Sequence, residues 1–479
     1  MQSGIRRLLL FPVALFSVAA PAALIPDGAA AADTPSPICN VRTAPIPPGP
    51  ATLVTKTVVP GHAGRLIDDT LYSPALAATT HVFVLLPQGF DARSTMRYPT
   101  LYLIHGAAGT YADWINVGNA QQITDQARTN HVPPFITVMP DAGTWGFYSD
   151  WYGSDLNGTP NPPPAWTTYH IGELVPWIDG HYPTIANRNH RAIAGLSMGG
   201  FGSISYAARF PGLFASAGTF SGAVDNDYGY PYANTYLSAL APAFSGGHFD
   251  QCVWGDEVTQ DVHWRGDNPT YLADSLAHTD LFIASGGGTT PTTVANDPIE
   301  QTCYFMSKSL IASLDHYGIK HTDDFYGGGS HAWSYWQADL VKYLPLMAQT
   351  FATPPTPPPA KPFSFRSILP SFSAWGWTFT TNHQVTEFTY LNNVSRHRLT
   401  VLGSGRLDVT TAPLYRPDST WAVTQGGVTH LVEADRSGRL TFRVDLGPPH
   451  SAEQTGFSNG SETNGWTRAG VDIERADGE

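Results

Sequence analysis

Between residues 51 and 352, short apolar segments of strand length alternate with longer segments of helical periodicity. HRAIAGLS and TDLFIASGG are examples of the apolar segments, whereas IEQTCYFMSKSLIASLDHYG has the spacing of a helix with one buried face. Continuous apolar strands are usually buried on both faces, so the alternation predicts a mostly parallel sheet with helices on each side. The fold class expected for this part of the chain is therefore doubly wound α/β.

A proline-rich stretch, TPPTPPPAKP at residues 353–362, ends this pattern and predicts a stiff, extended linker. In the C-terminal module, residues 363–479, short strands of alternating polarity are separated by Gly-Ser, Gly-Gly and Ser-Gly turns. This pattern is typical of an all-β sandwich. A second proline-rich segment, at residues 33–50, precedes the α/β pattern. We therefore expect a proline-rich N-terminal lead, an α/β domain over residues 51–352, a linker and a sandwich-like module.

The first 32 residues have the pattern of an export signal. Arg6 and Arg7 precede a long apolar run, and small residues suited to cleavage come just before Asp33. A retained membrane anchor is the alternative, but Pro12 and Pro21 interrupt the run and no basic stop sequence follows it. We expect a secreted protein, extracellular or in the cell envelope, with no stable membrane span after removal of the signal.

The net charge excludes one class of partner, and the cysteine content predicts a disulfide. The formal net charge of −13 argues against nucleic acid, because phosphate binding requires a basic surface. In an exported protein, the three cysteines Cys39, Cys252 and Cys303 predict one disulfide and one free thiol. We expect the disulfide between Cys252 and Cys303, and the spacing of the cysteines fits no zinc site.

One serine lies between two glycines where a predicted strand meets a predicted helix. Gly195-Leu-Ser197-Met-Gly199 follows the apolar segment and precedes GFGSISYAARF. In this context G-x-S-x-G is the pattern of a nucleophile elbow, a sharp turn that exposes the serine hydroxyl at the carboxyl edge of a sheet. Glycines on either side remove Cβ atoms that would clash in so tight a turn. Ser197 is therefore the predicted nucleophile.

A serine nucleophile requires a histidine base and an acid that orients the base. His331 lies in a glycine-rich loop after the last predicted strand of the α/β domain, where the base is expected. The acid should lie in the loop GTTPTTVANDPIEQT, whose acidic residues are Asp297 and Glu300. Asp297 has a second interpretation as a helix cap, because Pro298 follows it at the first helical position.

Backbone amides and aromatic side chains complete the predicted site. The expected oxyanion-hole donors are the amides of Met198, after the nucleophile, and Ala107, after an early strand. His105 at the end of that strand is either a wall of the site or a packed ring. Trp114, Trp145 and Trp151 lie near predicted site loops and are candidates for the substrate cleft, with packed core as the alternative.

Several motifs in one order resemble the esterase D-like branch of the α/β-hydrolases over about residues 50–350: LIHGAAGTYADW, FYSDWY, AIAGLSMGG, NDPIE and GSHAWSYW. That branch includes feruloyl esterases, S-formylglutathione hydrolases and secreted mycolyltransferases. The resemblance implies an α/β-hydrolase fold and a serine triad. Mycolyltransferases carry the acid in a stretch like Asn-x-Pro-x-Glu, which Asn296-Asp-Pro-Ile-Glu300 matches, so the resemblance implies Glu300 as the acid and leaves Asp297 as the alternative.

The sequence departs from mycolyltransferases at the oxyanion loop. Their Asp-Gly-Leu-Arg, which helps to hold the sugar acceptor, is replaced by His105-Gly-Ala-Ala108, a form closer to the hydrolytic esterases. We therefore expect a serine carboxylic-ester hydrolase or acyltransferase that forms an acyl-enzyme on Ser197, without a metal or organic cofactor. The alternatives are transfer of an acyl group to a sugar hydroxyl and a non-catalytic envelope- or carbohydrate-binding protein on a hydrolase fold.

Expected substrates are esters of small molecules, glycolipids or polysaccharides. The C-terminal module is a candidate for contact with the cell envelope or with carbohydrate. Four tryptophans of that module predict either a sugar-binding platform or the core of the sandwich: Trp375, Trp377, Trp421 and Trp466.

Overall fold

The computed structural model describes residues 39–42, 46–47, 49–155, 162–229, 237, 249–287, 297–356, 362–456 and 465–476. The contacts divide the chain into Met1–Pro37 and the compact unit Ile38–Glu479. The predicted signal, most of the predicted lead, residues 357–361 of the linker and Asn296 of the acid motif lie outside the described residues. Within these ranges, no helix combines the length and the apolar character needed to cross a bilayer.

Strands of the α/β domain form a large mixed sheet and one separate pair. They are β1 Cys39–Val41, β2 Thr52–Val58, β3 Leu66–Ser73, β4 Ala78–Leu85, β5 Thr100–Ile104, β6 Ile136–Pro140, β7 Gly153–Asp155, β8 Arg191–Leu196, β9 Ser216–Phe220, β10 Asp280–Ser285 and β11 Thr322–Phe325. Among the described residues, nine of these strands follow the order β11-β10-β9-β8-β5-β6-β4-β3-β2, whereas β1 pairs with β7. Neighbours from β11 to β6 are parallel, and β4, β3 and β2 extend the sheet in antiparallel fashion.

Helices cover both faces of this sheet. They are α1 Asp113–Asn116, α2 Ala120–Thr129, α3 Val175–His181, α4 Met198–Arg209, α5 Phe249–Trp254, α6 Asp261–Asp267, α7 Pro298–His316 and α8 Trp333–Ala352, with a π-helical turn at Thr168–Leu174 and short 3₁₀ turns at Arg188–His190 and Ala273–Leu276. In β5, Tyr102 and Ile104 pack into one hydrophobic core, while Leu101 and Leu103 pack into a second core. Because successive side chains of a strand point to opposite faces, both faces are buried, and the α/β prediction is confirmed.

The C-terminal module contains two antiparallel sheets. Their strands are β12 Phe363–Ser367, β13 Ser371–Ala374, β14 Trp377–Thr381, β15 Thr389–Val394, β16 Arg398–Gly403, β17 Arg406–Thr410, β18 Thr420–Gln425, β19 Val428–Glu433, β20 Thr441–Asp445 and β21 Thr467–Arg475. In the part of the module that the structure describes, one sheet has the order β12-β15-β16-β21-β18-β19 and the other β13-β14-β17-β20. Leu391 of the first sheet and Phe379 of the second share one core, in which Trp377 and Trp421 are buried, so the sandwich-like prediction is confirmed.

The sandwich contacts the α/β domain near the amino ends of the parallel strands. Arg366 pairs with Asp274 at 2.8 Å, in the 3₁₀ turn that precedes β10. Trp375 lies under the guanidinium of Arg188, which precedes β8. Trp466 packs against the core of the α/β domain, so two of the four tryptophans of the module lie at this contact and the other two lie in the sandwich core.

The disulfide joins Cys39 to Cys252, with the Cα atoms 5.4 Å apart, and Cys303 is a buried free thiol. The predicted Cys252–Cys303 pairing is therefore wrong. The N-terminal strand β1 runs beside β7 and against α5, which brings Cys39 to Cys252, whereas Cys303 lies on α7 and faces the interior. This approach of distant segments depends on the tertiary fold, and no local pattern in the sequence indicates it.

Candidate active site

Ser197 lies at the sharp turn between β8 and α4. Its backbone has φ 53° and ψ −119°, a conformation that costs a non-glycine residue free energy and is typical of functional turns. A Cβ on Gly195 would lie 2.5 Å from the carbonyl oxygen of Gly199, and a Cβ on Gly199 would lie 2.6 Å from the carbonyl oxygens of Ile104 and His105. The two glycines are therefore required by close backbone approach, and the serine hydroxyl stands at the carboxyl edge of the sheet.

Glu300 and His331 form a hydrogen-bonded pair beside this turn. Nδ1 of His331 is 2.9 Å from Oε2 of Glu300, whose side chain is completely buried. The other oxygen, Oε1, accepts hydrogen bonds from the Ser221 hydroxyl at 2.9 Å, the Ser285 hydroxyl at 3.1 Å and the Gly286 amide at 2.6 Å. These donors compensate the burial of the carboxylate and hold it in one orientation.

Asp297 does not pair with the imidazole ring, although it contacts both members of this pair. Its Oδ1 accepts the Glu300 amide at 3.0 Å and caps α7, and its Oδ2 accepts the His331 backbone amide at 2.8 Å. The carboxylate thus joins the start of the helix that carries the acid to the loop that carries the histidine. The structure brings both candidate acids to the site and gives only Glu300 the position facing Nδ1.

The amides of Met198 and Ala107 both border the cavity that contains Ser197. Met198 is the first residue of α4, where a backbone N–H has no partner within the helix. Neither amide donates a hydrogen bond to any other described residue. Next to Ala107, Ala108 has a left-handed backbone with φ 58°, and its amide is held by the Thr144 carbonyl at 2.8 Å. The loop therefore leaves two backbone donors available to a developing oxyanion.

His105 is a packed ring beneath the oxyanion loop. A wall of the site is the other interpretation that the sequence allows. His105 is 1% exposed, and Nε2 accepts the Ala142 amide at 3.0 Å. Nδ1 then carries the proton and donates to the Gly106 carbonyl at 2.7 Å. Asp141 Oδ1 lies 3.4 Å from Nε2 and also accepts the Ala142 amide, at 3.1 Å.

Of the other candidates for the cleft, Trp145 borders the cavity, whereas Trp114 and Trp151 are core residues. The indole N–H of Trp114 donates to the Ile104 carbonyl at 3.0 Å, and that of Trp151 donates to the Gly146 carbonyl at 3.1 Å. Both are buried and neither borders the cavity. Each indole is large enough to fill core space and finds a backbone acceptor there, so proximity to a site loop in sequence does not bring it to the cleft.

The cavity itself has a volume of about 330 Å³ and an apolar lining. Besides Ser197, His331 and the oxyanion loop, it is bordered by Asp113, Trp145, Phe147, Leu196, Ala223, Leu237, Ile299, Thr302, Cys303, Met306, Trp333 and Trp336. Sequence reasoning missed Trp333 and Trp336, although both follow the predicted base within five residues and could have been found by that proximity. The ring of Trp336 packs edge-on against His331, with 4.9 Å between the ring centroids.

Cys303 is a potential competing nucleophile in this cavity. Burial, together with the charge of Glu300, raises the pKa of its thiol well above the ordinary value. A protonated thiol is a poor nucleophile, so this thiol is poorly suited to compete with Ser197.

Several known proteins are similar to this chain in sequence. Residues 73–347, more than half of the chain, match the Esterase family. Esterase Rv1288 of Mycobacterium tuberculosis is 34% identical over 251 residues, which are 52% of this chain and 52% of that protein, so the chain spans about half the length of this relative. Diacylglycerol acyltransferase/mycolyltransferase Ag85B of Mycobacterium leprae is 29% identical over 272 residues, 54% of this chain and 77% of the relative.

Among solved structures, MPT51 of Mycobacterium tuberculosis is 19% identical, with a TM-score of 0.47 over 62% of this chain and 99% of the other. A ferulic acid esterase is 22% identical, with a TM-score of 0.44 over 63% and 99% of the two chains. The family match covers the elbow, both candidate acids and His331. This chain belongs to the Esterase family.

Proposed function

We propose that this protein is a secreted serine esterase or acyltransferase that forms an acyl-enzyme on Ser197. The observation that carries the proposal is the convergence, at one apolar cavity, of a half-buried elbow serine and a histidine paired with a buried glutamate. Relatives named as an esterase and as acyltransferases support the same reaction type.

The geometry supports a two-step mechanism. Oγ of Ser197 attacks the ester carbonyl while Nε2 of His331 takes the hydroxyl proton. Glu300 holds the Nδ1–H of His331 and stabilises the imidazolium that forms. The amides of Ala107 and Met198 stabilise the oxyanion, and His331 then returns the proton to the leaving alcohol. Water or a second alcohol, activated by the same histidine, takes the acyl group and frees the serine.

Hydrolysis is the favoured outcome of the second step. In this chain Ala107 and Ala108 stand where mycolyltransferases carry the Leu-Arg pair of the oxyanion loop, so this loop offers no charged side chain to a sugar acceptor. Transfer to a sugar hydroxyl is the second candidate, supported by the relative named a mycolyltransferase. Product analysis with and without an added sugar distinguishes them, because a hydrolase releases only the free acid and a transferase makes a sugar ester.

We also propose that the protein is exported. A Cys39–Cys252 disulfide fits an oxidising compartment, in agreement with the signal-like pattern of residues 1–32. Contact of the module with carbohydrate or the cell envelope has no support from its four tryptophans, which pack in the sandwich core or against the α/β domain.

The first experiment measures turnover of p-nitrophenyl esters and labelling by a fluorophosphonate probe. We expect the wild-type protein to be labelled at Ser197 and to hydrolyse short-chain esters. Ser197→Ala should lose labelling and about 10⁴- to 10⁶-fold in kcat. Ser94→Ala, at an exposed serine of the same domain, is the matched control and should behave as wild type. A wild-type protein that is neither labelled nor active would favour the non-catalytic binding protein instead.

A further inference from the structure

Helix α7 forms one wall of the cavity with a stripe of four side chains. Ile299, Thr302, Cys303 and Met306 all border the cavity and are spaced at i, i+3, i+4 and i+7, so they lie on one face of the helix. The same helix carries Glu300 in its first turn, beside His331. The stripe therefore starts at the catalytic end of the cavity and runs away from it for two helical turns.

The stripe presents an apolar surface although two of its members carry polar atoms. The hydroxyl of Thr302 donates to the Pro298 carbonyl at 2.7 Å, within the helix, and is therefore already paired. Burial keeps the Cys303 thiol protonated by raising its pKa. Ile299 and Met306 are apolar, and so are other residues that border the cavity, among them Phe147, Ala223 and Leu237.

Met306 marks the closed end of the stripe. It is 1% exposed, and the next residue on the same helical face, Leu310, is fully buried in the core and does not border the cavity. An apolar chain that enters from Ser197 along α7 therefore meets packed core after Met306. Close-packed interiors resist extra atoms, so a longer chain cannot be accommodated there without displacing side chains.

We infer that this stripe selects the length of a linear acyl chain, an inference that rests on the proposed esterase or acyltransferase function. From Ile299 to Met306 the helix rises about 10 Å. A saturated chain with bonds of ~1.5 Å and angles of ~111° advances about 1.25 Å per carbon, so about eight carbons span the stripe.

The expected substrates are therefore esters of medium-length, saturated acyl groups, near octanoyl. Each additional methylene that enters the apolar stripe should raise kcat/KM by up to about fourfold, the factor for burying one CH₂ group. Once the chain reaches Met306, further methylenes remain in water or displace packed side chains, and the gain should stop.

The test is a series of p-nitrophenyl esters from acetate through butyrate, octanoate, dodecanoate and hexadecanoate, measured on the full-length protein below the critical micelle concentrations. We expect kcat/KM to reach a maximum near octanoate and to fall at least about tenfold by hexadecanoate, because the longest chains overfill the cavity. A flat profile, or a rise that continues to hexadecanoate, would overturn the inference.

Two variants at the stripe should move this maximum in opposite directions. Met306→Ala opens the closed end by about three atoms and should shift the maximum toward dodecanoate. Cys303→Leu fills the stripe and should shift the maximum toward butyrate. Met96→Ala removes the same atoms from an exposed side chain and is the matched control, with the wild-type maximum retained. Ratios of kcat/KM between two esters do not depend on the amount of folded enzyme, so loss of stability does not imitate the shift.

The wild-type profile and Cys303→Leu test the inference even if Met306→Ala does not fold. Folded variants that both keep the wild-type maximum would overturn it. Failure of the proposed function has a different signature, because the protein would then lack both fluorophosphonate labelling and turnover of every ester. A labelled, active enzyme without length preference contradicts the chain-length inference alone.

Discussion

At the residue scale, two carboxylates three positions apart have different surroundings. Glu300 is completely buried and contacts the His331 ring, whereas Asp297 caps α7 and accepts the His331 backbone amide. The contact with Glu300 affects the charge of the His331 imidazole, and the contact with Asp297 affects the position of the loop. Sequence spacing alone cannot separate these roles, because both residues lie in the segment where an acid is expected.

Substitution of the two carboxylates should therefore have different consequences. Glu300→Gln removes the charge that faces Nδ1 and should lower kcat by about 10³- to 10⁴-fold, as loss of the acid does in serine triads. Asp297→Ala removes the helix cap and should lower the free energy of unfolding by about 1 kcal/mol, with a smaller loss in kcat. Steady-state kinetics and urea denaturation of both variants measure these effects. A loss of kcat in Asp297→Ala equal to that in Glu300→Gln would assign the acid to Asp297.

At the scale of elements, helix α8 carries one acidic residue into the packed interior. Asp339 is 1% exposed, and its Oδ2 lies 3.5 Å from the hydroxyl of Tyr326. Burial raises the pKa of Asp339 from 3.8 to about 8, with opposing effects of Lys342, which lowers it, and of Asp324, which raises it further. The helix therefore holds a carboxyl group that the folded state favours in its neutral form.

The stability contributed by this group should depend on pH in a defined direction. In the unfolded chain Asp339 ionises near pH 4, whereas in the folded chain it ionises near pH 8. Its contribution is therefore fully present below about pH 4 and is lost as the pH rises toward 8, at up to about 1.4 kcal/mol per pH unit. Asp339→Asn should remove this slope. Urea denaturation of both proteins at several values between pH 5 and pH 8 measures the difference, and parallel curves would contradict the assignment.

Element identities follow from local patterns to a large extent. The apolar run of β8 and the G-x-S-x-G turn predict the strand, the elbow and the helix, because periodicity and turn chemistry act within a few residues. The aromatic lining of the cavity is different. Trp114 is a predicted cleft residue and Trp333 is not, and their rings pack against each other, yet of the two only Trp333 borders the cavity. Which of two such rings lies in the core and which borders the cavity depends on how the neighbouring elements pack.

At the scale of the whole molecule, the sandwich and the α/β domain share a largely buried polar contact, with the Arg366 and Asp274 side chains 14% and 16% exposed. Arg366 pairs with Asp274 and stacks on Tyr271 and Tyr390, whose hydroxyls are 2.8 Å apart. These residues lie near the amino ends of the parallel strands, whereas Ser197 follows the carboxyl end of β8. The contact should therefore contribute to stability and have little influence on the chemistry.

Disruption of this contact should destabilise the molecule more than disruption of an exposed ion pair. Arg366→Ala leaves Asp274 without its partner and should lower the free energy of unfolding by about 3 kcal/mol, with separate transitions for the two parts. The matched control is Arg398→Ala, whose pair with Asp472 is 66% and 58% exposed, and it should cost less than about 1 kcal/mol. Calorimetry and kcat on a short ester check both expectations. Equal effects of the two variants would show that the Arg366 contact is not required for docking.

The sequence by itself determined the α/β class, the sandwich-like module, the elbow at Ser197 and the region in which base and acid should lie. Each of these depends on hydrophobic periodicity, turn residues or the order of motifs, which are properties of short segments. Only the tertiary structure decided the partner of Cys252, the separate contacts of Asp297 and Glu300 with His331, the residues that border the cavity and the docking of the sandwich. These features join residues far apart in the chain, and their energies depend on how whole elements pack, which no local pattern encodes.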